Sequence, residues 1–329
     1  MSPATFVYRA CGLSLASDAP IPGLRPIAAD RQADVTISMG GHARSVDRTW
    51  EFGSVWYESP ELDASGRHEM RIDISESGYR LVYCDDTTFL IDPTGDRVSV
   101  HWSAPLNDAD AASYLTGSVL AFVLRLRGSV PLHASAVAID GRAVLFVGDS
   151  WSGKSSTAAA FSTLGYPVLA DDIVRIDLGD GHLAAYPSHP RLNVWPDCAA
   201  TLYGAPDALP VHSETYRKHY LDLLDTGYPF QDTPVPVDTI YVLKERSVNR
   251  LSPAIRLMPP QAAVMALVGQ TYGNCLLDRP MRAREFDVLC RLVERVPVRE
   301  LRFGDDLGTL VSSCRALSEG MAGPHDGPT

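Results

Sequence analysis

Through most of the first hundred residues apolar and polar positions alternate, the pattern of strands with one buried face. Candidate strands are Thr5 to Ala10, Asp34 to Met39, Val55 to Glu58, Glu69 to Ile74, Tyr79 to Cys84, Thr88 to Ile91 and Val98 to Trp102. The alternation is plain in MRIDIS and RVSVHW. Turn-forming residues separate the runs at Asp18 to Pro26, Gly40-Gly41, Ser65 to Arg67, Glu76 to Gly78 and Asp92 to Asp96. An N-terminal β-rich domain over residues 1–104 is therefore expected. It holds no nucleophile–base pair or metal cluster, and a platform for a partner and a purely structural cap fit it equally well.

From Leu106 the period changes. Leu106 to Arg127 reads as a helix, capped by Asp108 or Asp110 and ended by Gly128, with apolar residues at Tyr114, Leu115, Val119, Leu120, Val123 and Leu124. Val130 to Ile139 is a strand, and Asp140-Gly141 a hairpin turn. The turn leads into five apolar residues, Ala143 to Val147, short enough for a buried strand. After it come a glycine-bearing loop, an alanine-rich helix from Ser156 to Leu164 closed by Gly165, and an apolar run from Tyr166 to Ala170 that ends in Asp171-Asp172. Ile173 to Leu178 continues as a strand, with Leu183 to Tyr186 pairing back on it.

Beyond this, Pro187 to Pro196 reads as a loop, and residues 204–238, rich in Pro, Asp, Tyr and His, as a mobile or partner-contacting stretch. Thr239 to Lys244 and Val298 to Phe303 are strands. Pro260 to Val268, Arg282 to Val296 and Asp305 to Leu317 are helices. The pattern predicts an α/β domain over residues 105–318 and a disordered tail over 319–329. There is no internal repeat.

Composition narrows the function classes. Of 329 residues, 45% are hydrophobic and 21% charged, enough for a substantial core, and the net charge is −11. That balance disfavours a nucleic-acid partner, which needs Lys and Arg clusters, and would steer a cationic peptide inward. The six cysteines form no C-x-x-C pair and read as free thiols in a reducing compartment. No basic-then-apolar leader is seen and no apolar run approaches the length of a membrane span. A cytoplasmic chain with no membrane contact is the expectation.

The chemistry concentrates at Gly148-Asp149-Ser150-Trp151-Ser152-Gly153-Lys154-Ser155, a G-x-x-x-x-G-K-[ST] phosphate loop between a strand and a helix. A polyphosphate must be held without side chains in the way. Gly148 and Gly153 allow the backbone to curl its N–H groups inward, and the helix that follows adds its positive end. Lys154 reaches the outer phosphates and Ser155 is the expected magnesium ligand. Asp149, Ser150, Trp151, Ser152 and Ser156 complete the predicted nucleotide-binding set. Trp151 is unusual there, suited to stacking on a base or a peptide side chain, or to simple packing. His133 lies on the strand antiparallel to the loop strand, near its loop end. Carboxylates at Asp171 and Asp172 face the same metal or the attacking nucleophile.

Residues 131–172, with the His-bearing strand, the hairpin, GDSWSGKS and a strand ending in ADD, resemble the catalytic domain of HPr kinase/phosphorylase. His133 precedes Lys154, and Asp172 follows it, at the spacings of that family. The chain also looks like the HPr-kinase-like proteins found with lasso-peptide biosynthesis, which act on a serine of a precursor peptide. YRACGLSLASDAPIPGL and PRLNVWPD are similar to segments of that divergent group. The resemblance implies a P-loop kinase domain of the HPr-kinase/PEP-carboxykinase type, ATP and Mg2+ as cofactors, a peptide or protein substrate, and association with further copies of itself. It implies Lys154 on the β- and γ-phosphates, Ser155 on magnesium, and Asp172 as the base. Asp171 would sit on the metal or orient the site, and His133 would tune the aspartates. The chain departs from the bifunctional enzymes where PSHPRLNVWPD replaces their downstream acidic metal ligand and glycine-rich signature. That puts reverse phosphorolysis, and HPr as substrate, in doubt. Arg191 is the candidate for the family's late arginine.

The expected activity is thus transfer of phosphate from ATP to a serine hydroxyl of a peptide or protein. Two other readings stand beside it. One is a kinase for a small hydroxylated metabolite. The other is a nucleotide-binding assembly module that catalyses nothing.

Overall fold

A computed structural model describes residues 5–29, 31–40, 53–179, 182–211, 218–247 and 252–321. The chain is mixed α/β with two large sheets and separates into two compact units, Met1–Pro131 with Tyr272–Arg284, and Leu132–Thr271 with Glu285–Thr329.

The first unit carries β1 (Phe6–Ala10), β2 (Leu13–Ser17), β3 (Val35–Met39), β4 (Ser54–Glu58), β5 (Met70–Ser75), β6 (Gly78–Tyr83), β7 (Thr88–Ile91) and β8 (Arg97–His101). They form one sheet in the order β1-β2-β3-β8-β7-β6-β5-β4. The alternating pattern placed most of these strands. It missed β2, which returns on β1 through a tight turn with Cys11 and Gly12 at φ 50° and 71°.

The predicted helix is two helices, α1 (Asp108–Tyr114) and α2 (Leu120–Leu126), joined by a wider turn in which Gly117 leaves helical geometry at φ −100°, ψ −111°. Its cap is Asn107 rather than either aspartate. The Asn107 side chain accepts from the N–H groups of Ala109 and Asp110, and Asp110 Oδ2 accepts from the Asn107 N–H in return. Leu115, Val119, Leu120 and Val123 pack with Leu15, Val35, Ile37 and Val98 of the sheet, and Phe122 meets Tyr79 edge-to-face at 5.0 Å. This burial draws the helix into the first unit, so the chain divides after Pro131 and not at residue 104. Asp108–Leu126 is, by length and composition, long and apolar enough to cross a membrane, an exception to the reading that no stretch is. In this structure 61% of it is buried.

The second unit holds most of β9 (Val130–Ile139), then β10 (Arg142–Val147), α3 (Lys154–Thr163), β11 (Val168–Ala170), β12 (Ile173–Gly179), β13 (His182–Tyr186), β14 (Arg191–Val194), α4 (Pro196–Tyr203), β15 (His219–Asp222), β16 (Val235–Leu243), β17 (Ala254–Leu257), α5 (Pro260–Gly269), the later part of α6 (Arg279–Arg295), β18 (Val298–Arg302) and α7 (Leu310–Met321). The β9–β10 hairpin turns on Asp140 and Gly141, both left-handed, as the two-residue turn requires. β10, β16 and β18 run parallel, so the carboxyl ends of β10 and β16 lie side by side. Open parallel sheets bind ligands at those ends. Behind them Phe146 stacks on Phe161 and Tyr241, and the fully buried Ala158, Ala159 and Ala160 let α3 approach closely.

Three expectations change here. PRLNVWPD is not a loop short of sheet partners. Arg191–Val194 forms β14 paired with β15, and Pro196 opens α4 at the position where a missing N–H costs nothing. Residues 204–238 contain β15 and the start of β16, with 212–217 outside the described residues. The last helix runs to Met321, and the rest of the predicted tail also lies outside the described residues.

Candidate functional site

The loop after β10 curls as its sequence demands. Gly148 sits at φ 154° and Gly153 at φ 97°, both closed to ordinary side chains. A Cβ on Gly148 would lie 2.8 Å from Ser152 Oγ and 3.0 Å from the Leu243 carbonyl; one on Gly153 would lie 2.8 Å from Arg246 Nη2. Lys154 is buried and folds back over the loop, its Nζ donating to the carbonyls of Gly148 (2.8 Å) and Asp149 (3.1 Å). Burial pushes its ammonium below the ordinary lysine value, against the pull of Asp172 and Asp171. Ser152 Oγ is buried inside the loop against Gly148 and makes no hydrogen bond among the described residues.

The other wall comes from the strand switch after β11. Asp172 adopts φ 69°, and its carbonyl accepts from the Ala134 N–H. That kink, with β9 alongside, places Asp172 Oδ1 3.3 Å from His133 Nε2. Burial is the largest influence on the Asp172 carboxyl and pushes it up. The hydrogen bond and charge of His133, with the charges of Lys218 and Lys154, outweigh burial and hold the group below its ordinary value. The side chain stays 42% exposed, open to an incoming group. Gln270 registers the two walls: its carbonyl accepts from the His133 N–H, and its Nε2 donates to Asp149 Oδ1.

Asp171 points the other way. It is 4% exposed, and its two oxygens accept from Ser135 Oγ at 2.6 Å and the Asn193 N–H at 2.9 Å. It lines no part of the cleft, and its predicted role on the metal finds no support in this geometry. It braces β9, which carries His133, against β14.

These walls enclose a cleft of about 580 Å³. Of the predicted residues, His133, Ser150, Trp151, Gly153, Lys154, Ser155, Ser156 and Asp172 line it; Gly148, Asp149, Ser152 and Asp171 shape it from behind. Arg191 is not among the lining residues. Burial lowers its guanidinium, which lies 3.4 Å above the Tyr220 ring. The cation at the loop is Arg246, just past β16, and it was not anticipated. A basic residue at the end of the strand parallel to the loop strand was the available signal. Trp195, Asp197, Cys198, Lys218, Asp305 and Leu307 complete the lining.

The donor set suits a magnesium polyphosphate. Magnesium keeps waters and takes one or two carboxylates beside phosphate oxygens. Ser155, Asp197 and Asp305 supply such oxygens in one cleft, and the glycine cradle suits phosphate oxygens.

Among solved structures, the HPr(Ser) kinase/phosphatase from Coxiella burnetii matches with a TM-score of 0.31 and 14% identity, over 59% of this chain and 99% of its own. No family model matches the chain. No curated protein matches it either.

Proposed function

We propose that this chain is a kinase that transfers the terminal phosphoryl group of ATP to a serine hydroxyl of a peptide or protein. One observation carries the reading. A half-buried carboxylate, Asp172, paired with His133 and held below its ordinary pKa, opens on the same cleft as the phosphate-loop lysine. Phosphate binding alone needs only the loop, so the dyad argues for chemistry over a passive assembly module.

The roles follow from position. The backbone of 148–153 and the start of α3 hold the phosphates, with Lys154 leaving the Gly148 and Asp149 carbonyls to reach them. Arg246, beside Gly153, neutralises charge that develops on the phosphoryl oxygens. Asp172 accepts the hydroxyl proton as the serine oxygen forms its bond to the γ-phosphorus. The bond from that phosphorus to the bridging oxygen breaks, and ADP leaves with its electron pair. His133 keeps Asp172 ionised and aimed; positioning and charge neutralisation supply most of the rate. Ser155, with Asp197 and Asp305, would hold magnesium, which supplies charge neutralisation at the phosphates. Asp171 acts as a brace.

The similarity of YRACGLSLASDAPIPGL and PRLNVWPD to segments of lasso-peptide-associated proteins makes a ribosomal precursor peptide the first acceptor to try. The test is incubation with Mg-ATP and serine-containing peptides, read as a phosphate mass shift. Transfer that needs Lys154 and Asp172 supports the reading. Transfer by Asp172→Asn at the wild-type rate contradicts it.

A further inference from the structure

We propose that Trp151 and Trp195 form an aromatic ledge that selects acceptor peptides with an aromatic or large aliphatic side chain beside the phosphorylated serine. The inference rests on the kinase reading above and names its substrate class more narrowly.

The two indoles stack with centroids 4.2 Å apart and planes 17° apart. Trp151 is nevertheless 76% exposed, at the middle of a loop whose phosphate chemistry uses backbone N–H groups. It holds φ 70°, a conformation unfavourable for a bulky residue. A large, strained, exposed ring where a small residue would serve points to a surface kept for contact with something else.

Trp195 is half-buried on a braced backbone. It directly precedes Pro196 at the start of α4, and two residues earlier the Asn193 N–H is held by Asp171 Oδ2. The aspartate pair that presents the base therefore also fixes the ledge.

The ledge shares the cleft with the base. Lys218 Nζ sits 5.4 Å from the Trp195 ring centroid, and its charge acts on both Asp172 and Lys154. Arg246 lies against Gly153 at the start of α3, where the phosphates would meet the helix end. A nucleotide seated from loop interior to helix leaves the outer middle of the loop to the group that approaches Asp172. A side chain flanking the serine would cross the open face of Trp151, and aromatic or aliphatic surface is what an indole face takes best.

The experiment presents short synthetic peptides, each with one serine flanked by Phe, Leu, Ala or Asp, to wild type and to Trp151→Ala, Trp195→Ala and Trp151→Phe with Mg-ATP. Wild type should favour the Phe and Leu peptides. Each alanine variant should level the Phe and Ala peptides, and Trp195→Ala should raise KM for the Phe peptide roughly tenfold while changing kcat by no more than about twofold. Trp151→Phe should keep the preference. Calorimetric Mg-ATP affinity of Trp195→Ala should match wild type, which also reports that the variant is folded. Transfer without flanking preference overturns the ledge alone. So does loss of Mg-ATP affinity with the preference intact, which would make the ledge a wall for the base. Mg-ATP bound but passed to none of the peptides overturns the peptide-kinase reading itself, and the ledge with it.

Discussion

His133 Nε2 lies 3.3 Å from Asp172 Oδ1, across the gap between β9 and the bend that joins β11 to β12. The pair is fixed from both backbones: the Ala134 N–H donates to the Asp172 carbonyl, and the His133 N–H donates to Gln270. Asp172→Asn keeps the shape and removes the base. It should lower kcat by ~10²–10⁴ and leave Mg-ATP affinity close to wild type, checked by phosphotransfer rates beside calorimetry.

The same pair sets a pH dependence. Asp172 is held below its ordinary value of 3.8, so it is ionised throughout the neutral range, and its proton uptake belongs on the acid side of that value. His133→Gln leaves burial, which pushes the carboxyl up, without the histidine charge that opposes it. The acid limb of kcat/KM should therefore move to higher pH in His133→Gln, and activity near pH 5 should fall more than activity near pH 8. An acid limb at the same pH in both proteins would remove His133 from this role.

Asp171 and Ser155 should separate cleanly. Ser155→Ala should raise the magnesium concentration needed for half-maximal activity. Asp171→Asn should leave that requirement unchanged. An amide facing two hydrogen-bond donors leaves one of them unsatisfied, at about 1–3 kcal/mol of stability, visible as a lower urea midpoint. A shifted magnesium requirement in Asp171→Asn would put this residue on the metal after all.

Much of this site was legible in the chain because its parts are local. The phosphate loop, the Asp140-Gly141 hairpin and the Asp171-Asp172 step are short-range patterns, and the antiparallel pairing of β11 on β9 sets His133 opposite Asp172. What escaped depends on partners far away in sequence. β14 needs β15, whose residues lie in a polar, proline-bearing stretch that gives no strand signal of its own. Asp171 and Asp172 look equivalent as neighbours. Only the Ser135 hydroxyl and the Asn193 N–H, folded in from either side, turn Asp171 inward. The helix at 108–126 was recognised, but its allegiance was not, since Phe122 and Val123 are equally apolar whichever sheet they cover.

Arg246 is a distinct test of the charge-neutralising wall. It reaches the cleft from the end of β16, so close to Gly153 that a methyl there would collide with its Nη2. Arg246→Ala should reduce kcat by ~10²–10³, with Arg246→Lys recovering only part of it, because a lysine lacks the planar fork. Gly153→Ala should weaken nucleotide binding, through the strained φ of 97° and the displaced guanidinium together. Titrating both variants with Mg-ATP checks the pair.

The central claim is that residues 148–155 hold a nucleotide through the loop and Lys154 while Asp172 does chemistry and not binding. Isothermal titration of Mg-ATP into wild type, Lys154→Ala and Asp172→Asn tests it most directly. The account predicts saturable binding to wild type and to Asp172→Asn, and its loss in Lys154→Ala. No heat of binding in the wild-type protein, or equal affinity in all three, would contradict it.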